Sequence, residues 1–390
     1  MRAVQVFLVG LIATLPASAG QAGCGGTFSA FLDGVRAEAL AAGHPPAQVA
    51  AFLADARQNP QVLRADRAQG VFRKHFIDFS RAVISQNRLT NGAANARRHA
   101  VIFDRITQDY GVPRGILLAF WALETDFGAV QGDFNTRDAL LTLAHDCRRP
   151  DLFRPQVMAA LRLHHRGDFD TATTGAWAGE IGQVQMLPAD ILKSGVDGDG
   201  DGHVRLKPSA PDALMSGAKM LAGLGWRRDQ PWLQEVVVPD TLDWRLTGLG
   251  RDRPIADWEQ MGVRARTGTL APGLAGAILL PMGRKGPAFL AYPNFGVLFD
   301  WNKSFVYVTT AAYFATRLEG APPFDPRSPV PGLSPDQMTT LQQKLAARGH
   351  DMGKFDGILG ARTRAAVQTE QERLGLPADG WPDAALLAAL

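Results

Sequence analysis

Eight consecutive residues, Ile116 to Leu123, carry no charged, hydroxyl or amide side chain. Pro113 precedes them and supplies a favoured helix start. A helix that is apolar all round has no face to give to water, so the rest of the chain must build a body around it. The segment ends in Glu124, followed by Thr125-Asp126-Phe127-Gly128. A carboxyl held among Phe120, Trp121 and Phe127 loses hydration, which raises its pKa and keeps it protonated near neutrality. That is what a general acid requires. Asp126 lies two positions on and points to a different side, so it is no close partner. Standing alone, the segment equally allows a helix-end glutamate with purely structural hydrogen bonds.

With 390 residues the chain exceeds one hydrophobic core, and two or more domains are expected. Phe28, Phe31, Leu32 and Val35 recur at helical spacing, and Pro45-Pro46 opens a second helix. Asn95 to Tyr110 reads as one amphipathic helix ending at Gly111. Between Val236 and Trp301 short runs such as Val236-Val237-Val238, Ile278-Leu279-Leu280 and Phe289-Leu290 alternate with glycine and proline, which predicts small strands. Helix returns from Phe305 to Leu318. Six prolines between Gly320 and Pro335 rule out a helix or inner strand and predict an extended, semi-rigid linker. Ser334-Pro335 with Gln337 then starts a helix of a small module.

Arg2, the apolar run Ala3 to Leu15, Pro16 and Ala17-Ser18-Ala19 have the layout of a secretory leader over residues 1–19. The run is too short to span a bilayer, and no other apolar stretch is long enough. Export to the periplasm follows. Cys24 just after the leader invites a lipid anchor, but Gln21-Ala22-Gly23 lacks the apolar residue expected three positions before such a cysteine. The only two cysteines, Cys24 and Cys147, form a natural disulfide in an oxidising compartment; two unpaired buried thiols are the alternative. A net charge of +3 is small for this length, and no basic tract carries interleaved aromatics, so nucleic acid is not an expected partner.

Two further blocks stand beside the acidic one. Gly175-Ala176-Trp177-Ala178-Gly179-Glu180-Ile181-Gly182-Gln183-Val184-Gln185-Met186-Leu187-Pro188 lets backbone approach a ligand closely and offers amide side chains. Phe299-Asp300-Trp301-Asn302-Lys303-Ser304-Phe305-Val306-Tyr307 groups aromatic faces, which pack on sugar rings, with an amide. The three blocks in this order resemble the lytic murein transglycosylase B family, with its E-[ST]-x-[FYW]-G, A-G-x-x-G-x-x-Q-[FM]-x-P and [YW]-N-x-S-x-x-Y motifs, over about Phe72 to Leu318. The resemblance implies an α+β, mainly α fold: a lysozyme-like catalytic domain (24–319) with a small β-rich insertion and an EF-hand-like loop. A linker (320–335) and a small three-helix peptidoglycan-binding domain (336–390) follow. It makes Glu124 the catalytic acid and then base, and Gln185, Trp301, Asn302 and Tyr307 the glycan-binding candidates. Two positions depart: Ala176 stands where serine is common, and Trp301 where tyrosine is common.

The implied reaction cleaves the bond between N-acetylmuramic acid and N-acetylglucosamine and leaves a 1,6-anhydromuramic end, with no catalytic cofactor. Ordinary glycosidases flank the bond with two carboxylates. Here no second one is singled out, although Asp133, Asp138 and Glu180 are available, which allows the intramolecular route. Plain hydrolysis and a catalytically silent wall-binding scaffold are the alternatives. Asp197-Gly198-Asp199-Gly200-Asp201-Gly202-His203 matches the first half of an EF-hand loop. Its twelfth position is Pro208, so Asp212 is the candidate closing ligand for a structural calcium, with His203 offering its carbonyl; a metal-free turn is the alternative. Met338 to Leu390 resembles a peptidoglycan-binding module through Leu341-Gln342, Asp356-Gly357-Ile358, Gln371 and Asp379-Gly380, and departs at Glu370, where an aromatic is common. As a tether it would concentrate the catalytic domain on its substrate, peptidoglycan strands. Its removal would then spare soluble substrates.

Overall fold

The computed structural model describes residues 23–68 and 74–390, and the expected leader, 1–19, lies outside the described residues. α7 (Arg114–Thr125) runs through the middle of the larger helical body, with nine of its twelve residues buried. Around it stand α5 (Gln86–Arg98), α6 (Ala100–Tyr110), α11 (Ala210–Gly223) and, most extensively, α14 (Phe305–Leu318). The apolar run has thus recruited a shell on every side, as its composition demands. The segment expected as one helix from Asn95 to Tyr110 is broken. His99 ends α5 and begins α6, and its ring turns to meet Trp121 edge to face, with centroids 5.5 Å apart.

α1 (Phe28–Ala41), α2 (Pro46–Leu53) and α3 (Pro60–Arg67) cover α8 (Thr136–His145) and α9 (Pro150–Arg166). Cys24 and Cys147 are joined, their Cα atoms 5.2 Å apart, so the first described residues are fastened to the end of α8. Gly25 adds a hydrogen bond to the His145 carbonyl.

The β-rich insertion is a five-stranded antiparallel sheet in the order β4-β6-β7-β3-β5, with β3 (Leu233–Val237), β4 (Arg253–Pro254), β5 (Arg264–Ala265), β6 (Ala275–Leu279) and β7 (Ala288–Ala291). Its register pairs Leu290 with Ile278 on one side and Gln234 on the other. Alternate residues serve two cores, as the two-residue period of a strand dictates. Leu279, Phe289 and Ala291 join the helical body, while Ile278, Ala288 and Leu290 meet Trp244, Trp258 and Tyr292 in a separate cluster. The sheet therefore sits between two apolar layers.

From Gly320 to Ser334 the chain is extended but pinned along its length. Arg266 donates to the Pro323 carbonyl, Ser328 N–H to Lys285 and the Trp381 indole to Val330. The C-terminal module contains α15 (Pro335–Ala347), α16 (Ala361–Arg373) and α17 (Ala384–Ala389), and Ser334 and Gln337 close a capping box. Two buried amides clamp matching turns. Gln342 bonds Asp356, Gly357 and Ile358, and Gln371 bonds Asp379, Gly380 and Trp381. Glu370, where an aromatic was expected, is buried against His350, Arg348 and Arg373.

Candidate active site

Glu124 occupies the last turn of α7, next to Thr125. Asp126 and Phe127 follow with left-handed backbone, φ 50 and 60. These two uncommon conformations swing the chain away from the helix axis at once and leave the Glu124 side chain at the helix end. Thr125 ties this end to the glycine-punctuated loop, its hydroxyl donating to Gln183 O (2.6 Å) and accepting from Gly128 N–H (2.9 Å). Asp126 turns outward to Arg88 at 2.9 Å, away from the acid.

The Glu124 side chain keeps some contact with solvent, but protein surrounds its carboxyl on most sides. Burial pushes its pKa up to about 7; hydrogen bonds from Tyr307 and Trp301 oppose this, and the charge of nearby Glu180 adds to it. The negative end of the α7 dipole acts in the same direction as burial. Tyr307 donates its hydroxyl to Glu124 Oε1. Burial and the neighbouring carboxyl hold that phenol well above its ordinary pKa, so it remains a donor throughout the physiological range. Trp301 stacks on Phe120, with centroids 4.7 Å apart and planes 17° from parallel. The structure thus brings Glu124, Trp301 and Tyr307 together from the end of α7, the end of α13 (Pro293–Trp301) and the first turn of α14.

Asn302 follows Trp301 directly and Gln185 lies in the glycine-punctuated loop that Thr125 holds through Gln183; both have local partners. Asn302 Oδ1 accepts Ser304 N–H (2.9 Å), and Ser304 in turn caps α14 by accepting from Tyr307 N–H. Gln185 adopts φ 53 and donates its side-chain amide to Gly182 O (2.7 Å) and Gln131 O (3.4 Å). The loop itself depends on glycine at two points. At Gly179 and Gly182, both with positive φ, a Cβ would run into Leu140 and Leu206.

Among the three spare carboxylates, Asp133 is exposed and Asp138 pairs with Arg137 at 3.0 Å. Glu180 is the one that interacts with Glu124. Its pKa is raised, chiefly by burial, and its Oε2 is sealed from solvent with no hydrogen-bond partner among the described residues. Nothing in its spacing set it apart from the other two. A cavity of about 760 Å³ borders the same loop at Ile181 and the turn after α7 at Gln131, with Phe169, Arg205 and Lys207 along its walls.

Away from the acid, Asp197, Asp199 and Asp212 place carboxylate oxygens within 4.8 Å of one another. Asp212 is buried at the start of α11 and accepts the N–H groups of Gly198, Asp199 and Arg205. Asp201 stands apart from this group, its carboxylate accepting His203 N–H at 2.8 Å. The His203 ring faces Asp168, a loop partner that the spacing did not reveal.

Comparison with known proteins decides the family. Residues 27–316 match the family described as Transglycosylase SLT domain. The chain belongs to this family. Residues 334–390 match a peptidoglycan binding domain family. The SLT chain is similar to SltB3 from Pseudomonas aeruginosa, solved in complex with NAG-NAM-pentapeptide. Identity is 36%, the TM-score is 0.85, and 94% of this chain and 100% of that chain are covered. SltB1 from the same organism is 26% identical with a TM-score of 0.66, covering 74% of this chain and 96% of that one. Membrane-bound lytic murein transglycosylase B from Escherichia coli (strain K12) is 29% identical over 153 residues. That stretch is 39% of this chain and 42% of the relative, so the match spans less than half of that protein's length.

Proposed function

We propose that the protein cleaves the β-1,4 bond between N-acetylmuramic acid and N-acetylglucosamine in peptidoglycan and leaves a 1,6-anhydromuramic end. The observation that carries this reading is Glu124, a carboxyl poised at a pKa of about 7 and held by Tyr307 beside a stacked Trp301. A group with that pKa is protonated often enough to act as an acid and ionises readily enough to act next as a base. Glu124 gives its proton to the glycosidic oxygen as the bond from the muramic anomeric carbon breaks, and N-acetylglucosamine leaves as the alcohol. The substrate's acetamido group supports the oxocarbenium-like carbon. The Glu124 carboxylate then takes the proton of the muramic 6-hydroxyl, whose oxygen bonds the anomeric carbon. The proton lent is recovered, and no water is consumed.

Most hydrolysing glycosidases use a second ionised carboxylate as nucleophile or base. One oxygen of Glu180 is closed to solvent and has no hydrogen-bond partner among the described residues, which suits it poorly to activating a water. SltB3 has been solved with NAG-anhNAM-pentapeptide bound, a ligand that carries an anhydro sugar, in agreement with the intramolecular route. An intact acid argues against a silent scaffold. Glu124→Gln should lower turnover of purified glycan strands by at least about a hundredfold while the melting temperature at pH 5 is kept. Near-normal turnover in that variant would refute the assignment.

Asp197, Asp199 and Asp212 fit a calcium ion: they are hard oxygen donors whose carboxylate oxygens lie within 4.8 Å of one another. Bound there, calcium would neutralise the loop's charge and fasten it to α11; it supplies no chemistry to Glu124. The wall polymer as substrate, the disulfide and the leader-like N-terminus together support a periplasmic location.

A further inference from the structure

We infer that Arg364 of the C-terminal module is a positioning residue for the active site, holding Phe305 so that Tyr307 and Trp301 stay in register with Glu124. This rests on the reading that Glu124 and Tyr307 form the catalytic pair. The module is seated on the body instead of hanging from its linker. Leu341, Leu345, Val367 and Trp381 belong to the same buried apolar cluster as Met282, Phe289 and Phe305. Gly283 and Gly332 make the seat close: a Cβ at either would come within 2.7 Å or 2.6 Å of Trp381. Gln368 donates to the Trp244 and Thr247 carbonyls, and Asp379 accepts the Arg284 N–H.

Arg364 lies at the centre of that contact. Its guanidinium sits 4.5 Å over the Phe305 ring and 5.7 Å from that of Trp381, and it donates to the carbonyls of Leu280 (3.3 Å) and Pro281 (2.7 Å). Burial pulls its pKa down to about 9, which leaves it cationic at neutral pH. One side chain therefore joins the module, the end of β6 and the first residue of α14.

What α14 begins with gives this contact its consequence. Trp301 ends α13, Asn302 and Ser304 form the corner, and Phe305 and Tyr307 are the first and third residues of α14. The first turn of a helix has N–H groups without helical partners and is where helices loosen. The inner side of this corner is fixed by Trp301 on Phe120 and by Tyr307 on Glu124. Its outer side is fixed by Phe305 beneath Arg364. Releasing the outer side lets the corner shift, and Tyr307 shifts with it.

The test uses the full chain and a soluble glycan tetrasaccharide, measuring kcat and KM for wild type, Arg364→Met, Arg364→Lys, Phe305→Leu and the Met/Leu double variant, with melting curves for each. We expect Arg364→Met and Phe305→Leu each to lower kcat about tenfold, within the hundredfold that a 1 Å misplacement costs, with KM nearly unchanged. Arg364→Lys should restore most of the rate, and the double variant should be no slower than either single one. Wild-type kcat in both single variants, with any loss confined to binding of insoluble sacculi, overturns the inference; so do losses that multiply in the double variant. If Arg364→Met does not fold, Phe305→Leu decides alone. A wild type unable to cut the tetrasaccharide would instead count against the proposed function itself.

Discussion

At the scale of single residues, the chemistry depends on how three side chains set one pKa. Burial raises Glu124, and Tyr307 restrains the rise by donating to the charged form. The acid step needs protonated Glu124, so kcat/KM should fall as pH rises through about 7. Tyr307→Phe removes the donor that favours the carboxylate, so this fall should move to higher pH while the maximal rate drops. A pH–rate profile checks both, and an unmoved alkaline limb in Tyr307→Phe would mean that the hydroxyl does not act on Glu124. Glu124 was legible as a candidate only because three blocks stand in order along the chain; the apolar helix ending in a carboxylate allowed a structural glutamate as well. Asn302 was only half legible: its motif marked the position, but its oxygen builds the turn that caps α14. Glu180 was one of three equal candidates until folding brought it near Glu124 and left the others outside.

Elements followed their patterns where one force dominated. α7 is buried because it has no polar face, and β7 alternates between two cores because its residues are apolar on both sides. The break at His99 was not legible, since both halves of the segment keep helical spacing and only the distant Trp121 ring marks where they part. The aspartate loop was readable as to type and, apart from Asp201, as to which carboxylates gather. Of the four aspartates that the sequence nominated, the fold gathers Asp197, Asp199 and Asp212, while the Asp201 carboxylate accepts His203 N–H. Calcium should therefore raise the melting temperature of the wild type, by the equivalent of about 2.7 kcal/mol at a hundred times its dissociation constant. Asp212→Ala should abolish that response. It should also destabilise the apo protein by about 1–3 kcal/mol, because three N–H groups lose their acceptor. A calcium response that survives Asp212→Ala, read by thermal melting, would place the ion elsewhere.

For the whole molecule, the prolines from 322 to 335 forecast an extended connection but said nothing of where it leads. A free tether and a docked module have the same linker composition. The difference lies in side chains far apart in sequence, Arg364 on Phe305 and Trp381 on Gly283. Removal of 338–390 would consequently expose Met282, Phe305 and Leu333 to water, and catalysis on soluble fragments is not expected to be spared as a tether would allow. The same body holds the acid, its tyrosine and the module in one continuous core, so the account stands or falls on what that acid does to the glycan. Digestion of purified strands in oxygen-18 water, with mass spectrometry of the products, tests this directly. The account predicts muramic ends lighter by one water than the reducing form and free of label. Reducing ends labelled at the muramic anomeric carbon would contradict it.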